Sequence, residues 1–200
     1  MLRTDKSAFY YVPRTGSVWT SEMIQANIKA VDITETPGQV KDEDYDKYLF
    51  GLFNRHTAPK DSKLLSFCFV RHPIGWYESF WRAVKGRTRG VDKRFTLADC
   101  WSESFDEFVS NSVDKFPNGF LTQMYGYFMG VDFVGRQENL REDLIKALTL
   151  AGEDFDADMI RTHPAINTEK YNEGELSDKI TDKLLKSEEW VIKMFYDSSI

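Results

Sequence analysis

Three times along this chain, a short run of apolar residues is followed by a segment whose apolar residues recur at helical spacing. Short apolar runs that end at Pro or at polar residues indicate buried strands, so each pair predicts a strand followed by a helix. Repeated strand–helix units favour an α/β fold, with a parallel sheet and helices on both of its faces. The predicted strands span 8–12, 63–70 and 131–136, and the predicted helices span 17–31, 74–86 and 140–152.

The remaining segments are predicted to complete a single domain spanning residues 1–200, because a chain of this length can bury a full hydrophobic core. Spaced aromatic residues over 99–129 indicate further helical structure, and 175–196 has the pattern of one amphipathic helix. Polar and charged residues dominate 32–62 and 86–98, which are expected to contain surface loops.

Charge and cysteine content narrow the classes of function. The formal net charge of -6 argues against a general nucleic-acid-binding protein, which needs positive charge to neutralise phosphates. The two cysteines, Cys68 and Cys100, are too few for a disulfide framework, so a reducing compartment is expected. No apolar stretch reaches the roughly 20 residues that span a bilayer, and the N-terminus lacks the apolar segment of a signal peptide. We therefore expect a cytoplasmic protein with no membrane span and no nucleic-acid partner.

The sequence VPRTGSVWT, residues 12–20, joins the first predicted strand to the first predicted helix. A Gly-containing turn there presents backbone N–H groups at the positive end of a helix dipole, which suits a phosphate or a sulfate. It is not the nucleoside-triphosphate loop, because that loop has a phosphate-binding lysine directly after its last glycine, whereas Gly16 is followed by Ser17 and Val18. The cation is instead Arg14, and Trp19 follows where it could cover a base. The alternative interpretation is a turn that simply needs a glycine.

A second predicted strand–helix junction has the sequence FVRHPIGWYESFW, residues 69–81. Arg71 lies at the end of the strand, and Ser79 follows eight residues later on the helix. The planar guanidinium and the hydroxyl together suit a terminal phosphate monoester. Taken alone, Arg71 is equally compatible with a structural salt bridge.

These two segments together resemble the motifs of the sulfotransferases that use 3'-phosphoadenosine 5'-phosphosulfate (PAPS). The 5'-phosphosulfate loop of that family has the form Pro-Lys-x-Gly-Thr-Thr-Trp, to which residues 13–19 are similar. Its 3'-phosphate motif has the form Arg-x-Pro with a Ser eight residues after the Arg, as in Arg71 and Ser79. Segments 132–144 and 163–171 are similar to a Glu-x-Leu turn and a closing loop of the carbohydrate sulfotransferases.

Three positions depart from the family pattern. Arg14 replaces the usual lysine of the first loop, and Val18 replaces its second hydroxyl residue, so one side-chain donor is missing. Gln137 stands where a Tyr often contacts the adenine, so the resemblance does not extend to that contact. Backbone N–H groups could compensate for the donor that Val18 lacks.

The resemblance implies an enzyme with a P-loop-like, three-layer α/β/α fold and a central parallel sheet. The implied reaction moves the sulfuryl group of PAPS to a hydroxyl or amine of a small-molecule or carbohydrate acceptor, and it yields 3'-phosphoadenosine 5'-phosphate (PAP). No metal is required, since positioning and charge stabilisation suffice for an in-line transfer. Trp19 is expected to stack on the adenine, and the full set of implied cofactor-binding residues is Arg14, Thr15, Gly16, Ser17, Val18, Trp19, Arg71 and Ser79.

Two catalytic roles follow from the resemblance. Arg14 is expected to stabilise the leaving phosphate oxygen, and His56, between the two phosphate motifs, is expected to be the general base. A carboxylate, Glu22 or an acid in 42–46, is the alternative base, and His56 could instead be a surface residue. The alternative functions are a non-catalytic module that binds PAP or PAPS, and a small-molecule kinase of related fold.

Overall fold

The computed structural model describes residues 1–32, 63–85, 97–126, 128–166 and 175–197. The described residues form two compact units. The first unit contains residues 1–32, 63–71 and 128–166, and the second contains residues 72–85, 97–126 and 175–197.

The first unit is built on a sheet of five strands in the order β3-β1-β2-β4-β5. β2, β4 and β5 are parallel neighbours, with Phe9 opposite Phe67 and Cys68 opposite Val134. β1 is antiparallel to both β2 and β3. The strands are β1 Leu2–Arg3, β2 Ser7–Phe9, β3 Val31–Asp32, β4 Leu65–Val70 and β5 Phe133–Arg136.

The α/β class is therefore confirmed, but the sheet is mixed rather than wholly parallel. The difference comes from a tight hairpin at the N-terminus, in which the Thr4 hydroxyl oxygen accepts the N–H groups of Lys6 and Ser7 at 3.2 and 2.8 Å. This turn reverses the chain, so that β1 pairs with β2 in the antiparallel sense. Strands of two residues, such as β1 and β3, are too short to show an alternating pattern in the sequence.

The helices fall in both units, and we number them in chain order. The longest has 13 residues, and none of the helices in the described ranges has the length and apolar character needed to cross a membrane. The helices are α1 Ser17–Asn27, α2 Pro73–Lys85, α3 Phe105–Lys115, α4 Phe120–Gly126, α5 Leu140–Leu150, α6 Ala157–Thr162, α7 Asp178–Ser187 and α8 Glu189–Phe195, with 3-10 turns at Ala98–Cys100 and Gln137–Asn139.

The core of the first unit lies where aromatic residues of the parallel strands meet α1, α5 and α6. The Phe9 ring stacks on Phe67, with 5.3 Å between their centroids, and it contacts the edge of Phe69. Close packing also requires a glycine at position 135, because a Cβ on Gly135 would lie 2.5 Å from the Phe69 ring. Other buried members of this cluster are Trp19, Met23, Ile24, Leu144, Leu148 and Ile160.

The second unit contains α2, α3, α4, α7 and α8, and aromatic rings fill its interior. Trp76 stacks on Phe80 and Phe80 stacks on Phe108, with centroid distances of 5.3 and 6.0 Å. The single helix predicted over 175–196 is in fact two helices, separated at Glu188. The helix is interrupted there because the Glu188 carboxylate points inward and accepts hydrogen bonds from the first turn of α4.

Candidate functional site

The site begins at the loop that leads from β2 into α1, and we call residues 13–19 the cradle loop. Because β2 and β4 are adjacent and parallel, their carboxyl ends meet at the same edge of the sheet. Arg71 directly follows β4, and its Nη1 donates to the backbone carbonyl of Arg14 at 3.3 Å. The structure thus brings the two arginines predicted to hold phosphate groups into the same part of the first unit.

Two residues of the cradle loop have a left-handed backbone. Gly16 has φ 86° and is the N-cap of α1, and Arg14 has φ 64°. Glycine adopts this conformation at little cost, whereas a side chain at Gly16 would be strained. A Cβ there would also lie 2.5 Å from Cδ2 of Leu140, the first residue of α5. Backbone conformation and close packing therefore both explain the glycine that the sequence motif requires.

The hydroxyl groups of the cradle loop stabilise the loop itself. The fully buried Thr15 donates from Oγ1 to the carbonyl of Val12 at 2.9 Å, and Ser17 Oγ donates to the same carbonyl at 2.6 Å. These bonds fix the backbone immediately before α1. As a result, direct donors to an anion would be mainly backbone N–H groups and Arg14.

The N-terminus of α1 is electrostatically suited to an anion. No side chain caps it, and its first turn contains no acidic residue. The first backbone hydrogen bond of the helix runs from Thr20 N to Gly16 O at 3.0 Å, so the N–H groups of residues 17–19 precede the intrahelical bonds. Thr20 adds a buried hydroxyl that has no hydrogen-bond partner in the described part of the chain.

Trp19 is packed inside the first unit and is only 5% exposed. Its indole N–H donates to the carbonyl of Pro164 at 3.0 Å, and the Arg141 guanidinium lies 5.7 Å from its ring centroid. The His163 ring contacts it edge-on, with 6.5 Å between centroids. Stacking on an adenine would require one face of the indole to become uncovered, so that role stays a prediction. The contacts with Arg141 and Pro164 were not predicted from the sequence.

Of the remaining predicted site residues, two lie on α1, one lies in the second unit and one lies outside the described residues. Val18 is 57% exposed at the start of α1, and Glu22 is exposed one helical turn later. Ser79 is half-buried on α2 in the second unit, whereas Arg71 belongs to the first unit. His56 lies outside the described residues. Among the residues that are described, no group of three or more His, Cys, Asp or Glu side chains could hold a metal ion.

No protein-family model matches this chain, and no curated protein or solved structure matches it significantly. The resemblance to the sulfotransferases is therefore a resemblance of sequence motifs alone.

Proposed function

We propose that this protein is a PAPS-dependent sulfotransferase that transfers a sulfuryl group to a hydroxyl or amine of a small-molecule or carbohydrate acceptor. The observation that carries the proposal is the position of the cradle loop, which connects a parallel strand to the uncapped N-terminus of α1 and contacts Arg71. The proposal includes a P-loop-like, three-layer α/β/α arrangement and a cytoplasmic location.

The donor groups at the cradle loop fit the anionic end of PAPS. A left-handed Gly16 opens the backbone at the point where the first N–H groups of α1 begin. The exposed Arg14 adds a positive charge, and the first turn of α1 contains no carboxylate that would repel an anion. The hydroxyls of Thr15 and Ser17 hold the loop in this shape before any ligand arrives, which reduces the cost of ordering it on binding.

PAPS, when bound, supplies a sulfuryl group joined to a phosphate that can act as the leaving group. Arg14 and the N–H groups of residues 16–19 stabilise negative charge at the leaving phosphate, because they are fixed before the reaction begins. Arg71 binds the 3'-phosphate through its planar guanidinium, and Ser79 contributes a hydroxyl. These roles require donors and charge but no acid or base at the cradle loop.

A base must accept the proton of the acceptor hydroxyl or amine. We assign this role to His56, because an imidazole titrates near neutral pH and can accept a proton under working conditions. Glu22 is the second candidate, since it is exposed on α1 one turn beyond Val18. Both candidates are tested by the same kinetic comparison.

Calorimetry with PAP and with ATP tests the nucleotide specificity. We expect PAP to bind and ATP to bind more weakly, because Arg71 and Ser79 are assigned to a 3'-phosphate that ATP lacks. Arg71→Ala should weaken binding of PAP, and its matched control is Arg161→Ala, which removes the same charge from a surface ion pair with Glu142. Tight binding of ATP with no binding of PAP would contradict the proposal and favour a small-molecule kinase.

Turnover of labelled PAPS with a panel of sugars, phenols and amines tests catalysis. His56→Ala should lower the rate of the chemical step by roughly 100-fold to 10,000-fold and leave the affinity for PAP nearly unchanged. Arg14→Ala should lower both, because its charge also holds the ground-state phosphosulfate. If His56→Ala keeps full turnover, Glu22→Gln is the next variant. Binding of PAP without turnover of any acceptor would favour the non-catalytic module.

A further inference from the structure

Residues 163 and 164 are hydrogen-bonded to side chains of both α1 and α5. Arg141 Nη2 donates to the carbonyl of His163 at 2.8 Å, and the Trp19 indole N–H donates to the carbonyl of Pro164 at 3.0 Å. The same carbonyl lies 3.0 Å from Nδ1 of the His163 ring.

Arg141 contacts both Trp19 and His163. Its guanidinium lies over the Trp19 ring at 5.7 Å, within the range of a cation–π interaction, while its Nη2 binds the carbonyl of His163. Its Nε is buried and has no hydrogen-bond partner among the described residues. The guanidinium is thus held mainly by the face of Trp19, the last residue of the cradle loop, and by the carbonyl of His163.

The residue before Arg141, Leu140, contacts Gly16, which directly precedes α1. Leu140 packs so closely under Gly16 that a Cβ there would overlap its side chain. Two consecutive residues of α5 therefore contact the residue before α1 and the third residue of α1. The backbone N–H groups assigned to the anion lie between these two contacts.

We propose that Arg141 is a positioning residue for the anion-binding N–H groups of α1, acting through Trp19. This inference rests on the proposed function, because it concerns the site at which PAPS would bind. In this arrangement Arg141 packs on the face of the Trp19 indole, and the carbonyl of Pro164 accepts its N–H. Because both contacts hold the indole in place, the first turn of α1 keeps a fixed position relative to α5. Arg141 itself need not touch the nucleotide.

The experiment compares Arg141→Met, Arg141→Lys and Arg161→Met in the full chain. The methionine removes the guanidinium but keeps an apolar stem, and Arg161 is the matched control because it forms surface ion pairs with Glu142 and Asp158. Two quantities are measured: hydrogen exchange of the Trp19 indole N–H by NMR, and the affinity for PAP by calorimetry. Exchange of the Leu148 amide, in the buried part of α5, reports any general loss of stability.

We expect Arg141→Met to accelerate exchange of the Trp19 indole about tenfold and to weaken PAP binding about tenfold, with the Leu148 amide unchanged. Arg141→Lys should recover most of both effects, because it keeps a charge over the ring. The proposal is overturned if Arg141→Met behaves like Arg161→Met in both measurements, or if exchange of Leu148 accelerates in parallel with that of Trp19.

A further variant keeps the proposal testable if Arg141→Met does not fold. Trp19→Phe keeps an aromatic face for Arg141 but removes the hydrogen bond to Pro164. It should weaken PAP binding about threefold, and an affinity equal to that of the wild type would overturn the proposal. If the wild type binds no PAP, the proposed function fails, while indole exchange in Arg141→Met against Arg161→Met still decides whether Arg141 holds Trp19.

Discussion

Two helices of this protein begin in the same way but have different partners for their first N–H groups. α1 follows Gly16, whose φ is 86°, and α4 follows Gly119, whose φ is 78°. At α4, the carboxylate of Glu188 accepts the N–H groups of Leu121 and Thr122 at 2.9 and 2.8 Å. At α1, no side chain caps the helix and no acid lies in its first turn.

The comparison separates a helix N-terminus that the protein stabilises with its own carboxylate from one that no side chain caps. The buried Glu188 carboxylate also accepts the hydroxyls of Tyr77 and Thr122 at 3.0 and 2.9 Å. A Cβ on Gly119 would lie 2.6 Å from the carbonyl of Ser187, so the junction has no free space. The protein's own carboxylate thus occupies the positive end of α4, whereas no side chain caps the positive end of α1.

The largest effect should follow from removing the internal anion. Glu188→Ala leaves the donors of Leu121, Thr122 and Tyr77 without their acceptor in a buried site. We expect the free energy of unfolding to fall by about 3 to 5 kcal/mol, the range for breaking a buried charged interaction. Chemical denaturation measures this loss.

The neighbouring acid supplies the control for that experiment. Glu189 is exposed and pairs with Lys193 across one helical turn. Glu189→Ala should leave the free energy of unfolding nearly unchanged, because exposed ion pairs contribute little. Equal stability losses in the two variants would mean that Glu188 has no special role at α4.

A smaller effect is expected for the external anion at the edge of the sheet near α1. Arg71→Ala should weaken PAP binding by about 1.5 to 3 kcal/mol, the range for losing a hydrogen bond to a charged group. Ser79→Ala should cost less, because it removes a single neutral donor. Arg71→Lys should recover only part of the affinity, since an ammonium cannot form the planar, bidentate contact. An Arg71→Ala variant with wild-type affinity, measured by calorimetry, would remove the 3'-phosphate from this position.

The two helix N-termini should also differ in their response to pH. Burial raises the pKa of Glu188 from its ordinary value of 4.5, although hydrogen bonds from Leu121, Thr122 and Tyr77 oppose the shift. Between pH 4.5 and the raised pKa, the folded state binds more protons than the unfolded state. Stability attributable to Glu188 is therefore fully present below the ordinary pKa and is lost as the pH rises through the raised pKa.

Chemical denaturation of the wild type and of Glu188→Gln across this pH range tests whether stability falls as the pH rises. The wild type should lose stability relative to the Gln variant as the pH rises, by about 1.4 kcal/mol for each unit by which the pKa is raised. The Gln variant lacks the titrating group and serves as the baseline. Stability curves that stay parallel throughout would show that the Glu188 pKa is the same in the folded and unfolded states.

Local sequence predicted the parts of the fold that depend on local patterns. β4 and its following helix were predictable because a run of buried residues over 65–70 precedes helical spacing over 73–85. The break between α7 and α8 was not, because the apolar pattern continues past Glu188 while the carboxylate binds a helix 66 residues or more away in sequence. A tertiary partner, rather than helix propensity, decides where that helix ends.

The same distinction applies to the candidate site. The cradle loop was predictable because its glycine, hydroxyls and arginine lie within seven residues of one another. The environment of Trp19 was not, because the carbonyl that accepts its indole N–H lies 145 residues away in sequence. Thr15 and Ser17 were predicted as cofactor-binding residues, but the bonds of their hydroxyls to Val12 depend on the backbone geometry of the folded loop.

The smallest expected effect comes from placing a carboxylate at the start of α1, as Glu188 places one at the start of α4. Val18 is 57% exposed and is the second residue of α1, so an aspartate there would lie at the positive end of the helix without disturbing the core. Val18→Asp should raise the free energy of unfolding by about 0.3 to 1 kcal/mol, through its interaction with the helix dipole and the first N–H groups. The same carboxylate should weaken PAP binding about tenfold, because it occupies and repels the position assigned to the phosphosulfate.

Opposite signs of the two effects are the essential feature of this prediction. Val18→Asn is the control, because asparagine has the shape of aspartate but carries no charge, so it should show neither the gain in stability from the helix dipole nor the tenfold loss of PAP affinity. Raising the salt concentration should reduce the difference between the Asp and Asn variants, since exposed charges are screened. If Val18→Asp is stabilised yet binds PAP as tightly as the wild type, the ligand's anionic group does not lie at the start of α1. The contrast between the two helices would then concern stability alone.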